Sequence, residues 1–269
     1  MQPLSFREFE HQFWDKTSKP YDEGLGEVTA QTVPAILQTL KLSTGQTLLD
    51  VACGPGYITR SSLGQGIKVT GMDFSSAMID LAQATFPDQA FQVADAENLP
   101  FAENAFDAVS CNFGMMHFSQ PEKAIAEAHR VLKNQGRYVF TLWNTPENSP
   151  AMNLIFEALK AHAENKLQAP EGPPFFFYAI EDNAFKAFRQ SGFKTWDRQV
   201  LTCEWPIASA ESYVRHFYDG GARIGGTLRA QTPQTLEKII AHIQNNLVAS
   251  GGERMYALPV SVVMYSAVK

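Results

Sequence analysis

Gly54 and Gly56 stand in the stretch LLDVACGPGYIT, residues 48–59, directly after an apolar run that contains Asp50. A parallel strand that ends in a glycine turn and opens a helix suits a nucleotide-like ligand. Glycine lets the backbone approach a ligand closely, and the helix start offers free N–H groups to anionic atoms. G-x-G alone does not discriminate, because any tight strand-to-helix turn can use it. Two acids further on sharpen the reading. Asp73 closes the next apolar run, KVTGMD, where a carboxylate can take both hydroxyls of an adenosine ribose. Asp95 and Glu97, in ADAEN, follow the third run, where a carboxylate can accept from an adenine amino group. Ligands of open α/β sheets bind at these carboxyl ends.

The nature of the ligand follows from what is missing and what is in excess. Thr59 occupies the third position of a would-be G-x-G-x-x-G, and no phosphate-cradling Walker pattern occurs. Asp50, Asp73, Asp95 and Glu97 place more acid here than a pyrophosphate tolerates. They favour a ligand that carries cationic groups as well as an adenosine.

The elements that must position these residues are legible through the first half. Runs at 47–52, 68–73, 90–94, 106–111 and 137–142 read as strands, mostly continuously apolar, as suits strands buried on both faces. A helix is expected over 75–85. Another is expected after Ser119, which forms a capping box with Glu122. Ala124, Ile125, Ala128, Val131 and Leu132 line one face of that helix, and KNQG closes it before Gly136 opens the next strand. This alternation predicts a Rossmann-like, doubly wound α/β sheet. Beyond it, helices are expected at 151–165, 182–191, 209–218 and 233–249. DGGARIGG (219–226) reads as a glycine-rich loop. FKTWDRQVLTCEW and LPVSVVMYSAV read as two late strands, giving a seven-stranded, mostly parallel sheet with an antiparallel last strand.

Composition narrows the partners. The 269 residues are 45% apolar, with 22 Lys and Arg against 28 Asp and Glu, a net charge of −6. Phosphate binding runs on clustered basic residues, so no nucleic acid and no anionic membrane surface is expected as partner. No 18-residue apolar span appears, so no membrane span is expected, and the N-terminus carries no apolar signal region; a cytoplasmic location is the default. Cys53, Cys111 and Cys203 lack metal-ligand spacing and read as small core residues.

Taken in order, LLDVACGPGYIT, VTGMDFSSAMIDLAQ, FQVADAENLPF, FDAVSCNFGMMHF and EAHRVLKNQGRYVF resemble the class I S-adenosylmethionine-dependent methyltransferases over about residues 45–142. The flavour is that of the ubiquinone/menaquinone-biosynthesis C-methyltransferase-like, small-molecule group. Ala52 stands where that family often has a glycine, and KNQG replaces its usual Lys-Pro-Gly-Gly. The resemblance implies S-adenosyl-L-methionine as cofactor. It implies that Asp50, Gly54 and Gly56 frame the methionine portion and that Asp73 holds the ribose diol. Phe74 and Met78 would lie against the adenine, with Asp95 accepting from its amino group and Ala96 offering a backbone N–H to the ring. Asn112 and Phe113 would line the methyl-donor end, and Tyr21, in KPYDEG, would close over the cofactor.

The acceptor needs its own machinery. If it is an O–H or C–H group, a base is required. His117, just past the fourth strand, is the first candidate, because an imidazole titrates in the useful range. His216, in YVRHFYDGG, is the second. Trp14, Trp143, Phe175, Phe176, Phe177, Tyr178, Phe217 and Tyr218 suggest an apolar or aromatic small-molecule acceptor. One methyltransferase domain over 1–269 is expected: an N-terminal cover (1–44), a cofactor-binding core (45–142) and substrate-lid elements (143–180 and 204–258). Two rival readings stay open: an NAD-dependent oxidoreductase on the same sheet, and a non-catalytic S-adenosylmethionine-binding protein.

Overall fold

The computed structural model describes residues 4–164, 170–249 and 256–269. Expectations that fall on 165–169 and 250–255 lie outside the described residues. Three helices come first: α1 (Phe6–Asp22), α2 (Leu25–Ala30) and α3 (Val33–Leu40). The core then runs β1 (Thr47–Val51), α4 (Tyr57–Ser62), β2 (Lys68–Asp73), α5 (Ser76–Thr85), β3 (Ala90–Val93), β4 (Phe106–Asn112), α6 (Pro121–Val131) and β5 (Leu132–Trp143). It is followed by α7 (Pro150–His162), α8 (Glu181–Ser191), β6 (Thr195–Ile207), α9 (Ala210–Gly220), α10 (Arg223–Arg229), α11 (Pro233–Ala249) and β7 (Tyr256–Val268).

The seven strands form one sheet in the order β3-β2-β1-β4-β5-β7-β6. The first five pair in parallel, and β7 runs antiparallel to both β5 and β6. The expected Rossmann-like α/β sheet is the one that forms. Strand order reverses between β1 and β4, and such a switch point opens a crevice at the strands' carboxyl ends. Successive side chains of a strand face opposite ways. Leu48, Ala108 and Val139 therefore join Ile36, Ile58 and Val69 in one core, while Leu49, Val109, Tyr138 and Phe140 join Ile125 and Phe188 in the other. All three cysteines are buried and unpaired. No described helix is long and apolar enough to cross a membrane.

Three local expectations are corrected. The Ser119–Glu122 capping box does not form: α6 starts at Pro121, and the Ser119 hydroxyl donates to Glu97 instead. Glu97 also accepts from the backbone N–H groups of Ser119 and Gln120, so it caps this helix from outside, as an anion at a helix start should. KNQG is not a helix-closing turn. α6 has already ended at Val131, Leu132 already pairs with Phe106, and 133–136 bulge out with Gln135 at φ 64° before Arg137 resumes pairing with Ala108. DGGARIGG is not a loop either, since α9 runs through Gly220 and α10 starts at Arg223. Its glycines serve close approach: a Cβ on Gly225 would lie 2.2 Å from the Phe217 carbonyl oxygen.

Candidate active site

The turn after β1 is built on left-handed backbone. Ala52, Gly54 and Gly56 have φ of 55°, 52° and 91°. At Gly56, which precedes α4, a Cβ would press on the Phe86 ring at 3.1 Å. At Gly54 a Cβ would meet nothing within 4 Å, because this residue borders an open cleft. Ala52 accepts the strain that a glycine would avoid, and its Cβ sits over Gly114, where an added Cβ would lie 2.8 Å away and 2.7 Å from the Cys111 sulfur. Gly114→Ala is accordingly expected to cost about 1–3 kcal/mol through overpacking. Ala52→Gly should restore part of that loss, read from urea midpoints. An unaffected single variant would dismiss the contact.

Asp73, at the end of β2, is held from two sides. Gly54 N–H donates to Oδ2 and Ser75 N–H to Oδ1, each at 3.0 Å. Ser75 in turn caps α5. Burial raises the Asp73 pKa against these hydrogen bonds. Asp50, also buried, lies behind the turn, accepts from the Ser110 hydroxyl at 2.9 Å, and is pushed up to about 7 by burial and, less strongly, by the Asp73 charge. Its folded pKa exceeds its unfolded value near 4. The stability it contributes is therefore full below about pH 4 and lost as pH rises through 7. Asp50→Asn cannot ionise. It is expected to exceed the parent at pH 8 by on the order of 4 kcal/mol, and by less than half of that at pH 5, in paired denaturant titrations. An equal difference at both pH values would remove the assignment.

The cleft over these residues, counted with its open mouth, spans about 420 Å³ and is bordered by Tyr21, Gly54, Asp73, Phe74, Met78 and Asn112, with Phe113 and His117 where it meets a second cavity. It continues past Ala52, Phe74 and His117 into a recess of about 340 Å³ bordered by Asp95 and Ala96. Of the residues singled out by sequence, Asp50 and Gly56 do not border either space; they shape the turn from beneath. The loop that carries Asp95 is pinned from below, because Arg130 of α6 donates to the Leu99 and Phe101 carbonyls and Glu127 accepts from Leu99 N–H. Asp95 itself is paired with Arg7 of α1 at 2.6 Å.

A second cavity of about 470 Å³ meets the first at Trp14, Tyr21, Phe113 and His117. Its other walls are mostly apolar: Leu25 and Thr29 of α2, Trp143 at the end of β5, and Met152, Phe175, Phe217 and Ile224 from beyond it, with Arg223 as the charged exception. Phe113 is left-handed at φ 56°, and for a bulky residue that is stored strain at the junction of the two spaces. Asn112 beside it is fully engaged, accepting from Thr32 and Thr141 and donating to the Thr29 carbonyl. Tyr21 donates to or accepts from Thr29 at 2.9 Å, and burial lifts its pKa to about 12. His117 borders all three spaces.

His216 is not at this junction. It sits on α9 against Trp205, where burial lowers its pKa, and borders none of these three spaces. The aromatic lid splits in the same way. Trp143, Phe175 and Phe217 reach the second cavity, whereas Phe176 packs on Phe156 and the Tyr178 hydroxyl donates to Glu122.

Residues 49–140 match the methyltransferase-domain family model. The demethylmenaquinone methyltransferase of Clavibacter sepedonicus is 35% identical over 176 residues, 64% of this chain and 68% of that one. The chain belongs to the class I S-adenosylmethionine-dependent methyltransferases. The demethylmenaquinone methyltransferase of Renibacterium salmoninarum is 38% identical over 162 residues, and the match spans 60% of this chain and 64% of that relative's length. Among solved structures, the Bacillus subtilis YcgJ protein has the same fold at TM-score 0.59 and 18% identity, over 89% of this chain and 98% of that one. The [4+2]-cyclase SpnF also shares it, at TM-score 0.60 and 16% identity over 99% and 97%. A common sheet thus does not by itself choose a reaction.

The cleft of this family member fits an adenosyl sulfonium on its own chemistry. It has an unobstructed glycine, a carboxylate at the end of β2, and a second buried acid beneath whose ionisation a cation would favour. What sequence reading missed is the N-terminal helix. Arg7, Trp14 and Tyr21 recur every seven residues on one face of α1, and all three border the cleft or its recess. That spacing is the signal for a helix laid along a groove. Glu10, on the same helix, is fully buried, and Arg223 is half-buried beside it, not a surface charge.

Proposed function

We propose that the chain transfers a methyl group from S-adenosylmethionine to a small, largely apolar, ring-bearing acceptor held in the second cavity. The observation that carries this is the meeting of the two spaces at His117 and Phe113, the first holding Asp73 and leading on to Asp95, the second walled mainly by aromatic and aliphatic side chains with no carboxylate. When bound, the cofactor supplies an electrophilic methyl group on a sulfonium. Asp73 holds the ribose diol, Asp95 and Ala96 take the adenine edge, and Phe74 and Met78 flank the ring. Arg7 must share Asp95 with that ligand or release it. Gly54 lets the ligand lie against the turn.

Trp143, Phe175, Phe217 and Ile224 seat the acceptor and exclude water, so the described parts of 143–180 and 204–258 act as its lid. Orientation of this kind supplies much of the rate in a displacement. His117 Nε2 takes the proton of an O–H or C–H acceptor. The names of the relatives make a demethylmenaquinol-type ring the first acceptor to try.

The test is calorimetry with S-adenosylhomocysteine, followed by detection of its release from S-adenosylmethionine across phenol, hydroquinone and naphthoquinol acceptors. Micromolar binding with acceptor-dependent release is expected. Binding of NADH in place of the adenosyl ligand, or cofactor binding with no release on any ring acceptor, would displace the proposal.

A further inference from the structure

Glu10 is fully buried and accepts three hydrogen bonds or ion-pair contacts: from Trp14 Nε1 at 3.2 Å, from His117 Nδ1 at 2.9 Å, and from Arg223 Nε at 3.3 Å. A buried carboxylate persists only when paired and hydrogen-bonded. Here its partners come from three separate parts of the chain. Glu10 and Trp14 lie on α1, His117 ends the short turn after β4, and Arg223 opens α10. Arg223 is itself tied to the Met116 and Pro173 carbonyls and lies over the Phe6 and Phe175 rings. The other ring nitrogen of His117, Nε2, has no protein partner among the described residues.

We propose that Glu10 is a positioning residue for His117: its carboxylate holds the imidazole as the Nδ1–H tautomer and leaves Nε2 bare at the junction of the two cavities. The proposal deepens the reading of His117 as base and rests on it. The argument is one of valence. A carboxylate accepts only, so the nitrogen facing it must carry the proton. In a neutral ring the other nitrogen is then an acceptor, which is the form a base needs. Arg223 balances the Glu10 charge, so the carboxylate can orient the ring without taking its proton. Because Glu10 and Arg223 belong to the two covers, the base is aligned by the docking of both onto the core.

The groups sharing space with His117 are Glu10 and Arg223 from the covers, Asp73 and Tyr21 along the cleft, and Arg7, Asp95 and Glu97 at the recess. Among the described residues, only Glu10 shares a hydrogen bond with the ring. Its removal should therefore free the ring to exchange tautomers.

The experiment is long-range proton–nitrogen NMR of histidine-labelled protein saturated with S-adenosylhomocysteine, from pH 6 to 9, with His117 assigned by loss of its signals in His117→Asn. The wild type is expected to show Nδ1 protonated and Nε2 bare in the neutral form. Glu10→Gln should lose that single tautomer, because the amide can offer the ring a donor as well as an acceptor. Trp14→Phe, which spares the carboxylate, should keep the wild-type tautomer. An Nε2–H tautomer in the wild type overturns the proposal whether or not the variant folds, as does an unchanged tautomer in Glu10→Gln. The outcome is separable from the base reading. A correct tautomer with undiminished turnover in His117→Ala would remove the base and keep the Glu10–His117 pair. The wrong tautomer with lost turnover would do the reverse.

Discussion

Replacing Asp73 by alanine is expected to weaken S-adenosylhomocysteine binding by roughly two to four orders of magnitude. Two hydrogen bonds from a ribose diol to one carboxylate are charge-assisted, and each such bond contributes about 1.5–3 kcal/mol. Their sum, about 3–6 kcal/mol, converts to that range of affinity. The loss should fall on binding rather than on folding alone. Burial raises the Asp73 pKa, so the free protein holds this carboxylate at a cost, partly offset by the Gly54 and Ser75 N–H groups. Asp73→Asn is the companion variant. It keeps one acceptor oxygen but turns an amide toward a backbone donor, so it should bind as poorly as Asp73→Ala. Isothermal titration, with thermal midpoints to confirm folding, decides the matter. Affinity within a few-fold of the parent in either folded variant would end the ribose assignment.

His117→Ala is expected to lower turnover by about 10²–10⁴-fold on an acceptor that must lose a proton, the usual contribution of a positioned base. Cofactor affinity should change by less than about threefold, because Asp73 and the Asp95–Ala96 edge supply the polar contacts to that ligand and His117 does not. The pairing of a large effect on kcat with a small one on binding is the signature to look for. A parallel loss in both would make His117 part of the binding wall. Equal turnover would leave the proton to the acceptor's own acidity or to water. The two variants separate the two cavities: Asp73 should report on the cofactor side, His117 on the junction.

The sheet was legible because its signals are local. Apolar runs, intervening helical periods and the small residues after β1 can each be read in a short window, and the observed strands begin and end within a few residues of those expectations. The acids at strand ends were legible for the same reason. What failed were contacts between distant residues. Ser119 and Glu122 look like a capping box only while Glu97 is out of sight. DGGARIGG looks like a loop only until Gly225 is seen to let α10 approach the end of α9. His216 has the same local credentials as His117, and only the packing of α9 against Trp205 separates them.

The order of motifs along residues 45–142 was sufficient for the fold, the family and the carboxyl-end crevice, since a strand, a glycine turn and an acid dictate their own geometry over a few residues. The tertiary structure alone decided which histidine stands where the two cavities join, and that Glu10 and Arg223 converge on it from 107 and 106 positions away. Such a cluster has no sequence period. It exists because a buried carboxylate must find its partners wherever the chain brings them, and here α1 and α10 bring them from either side of His117 in the sequence.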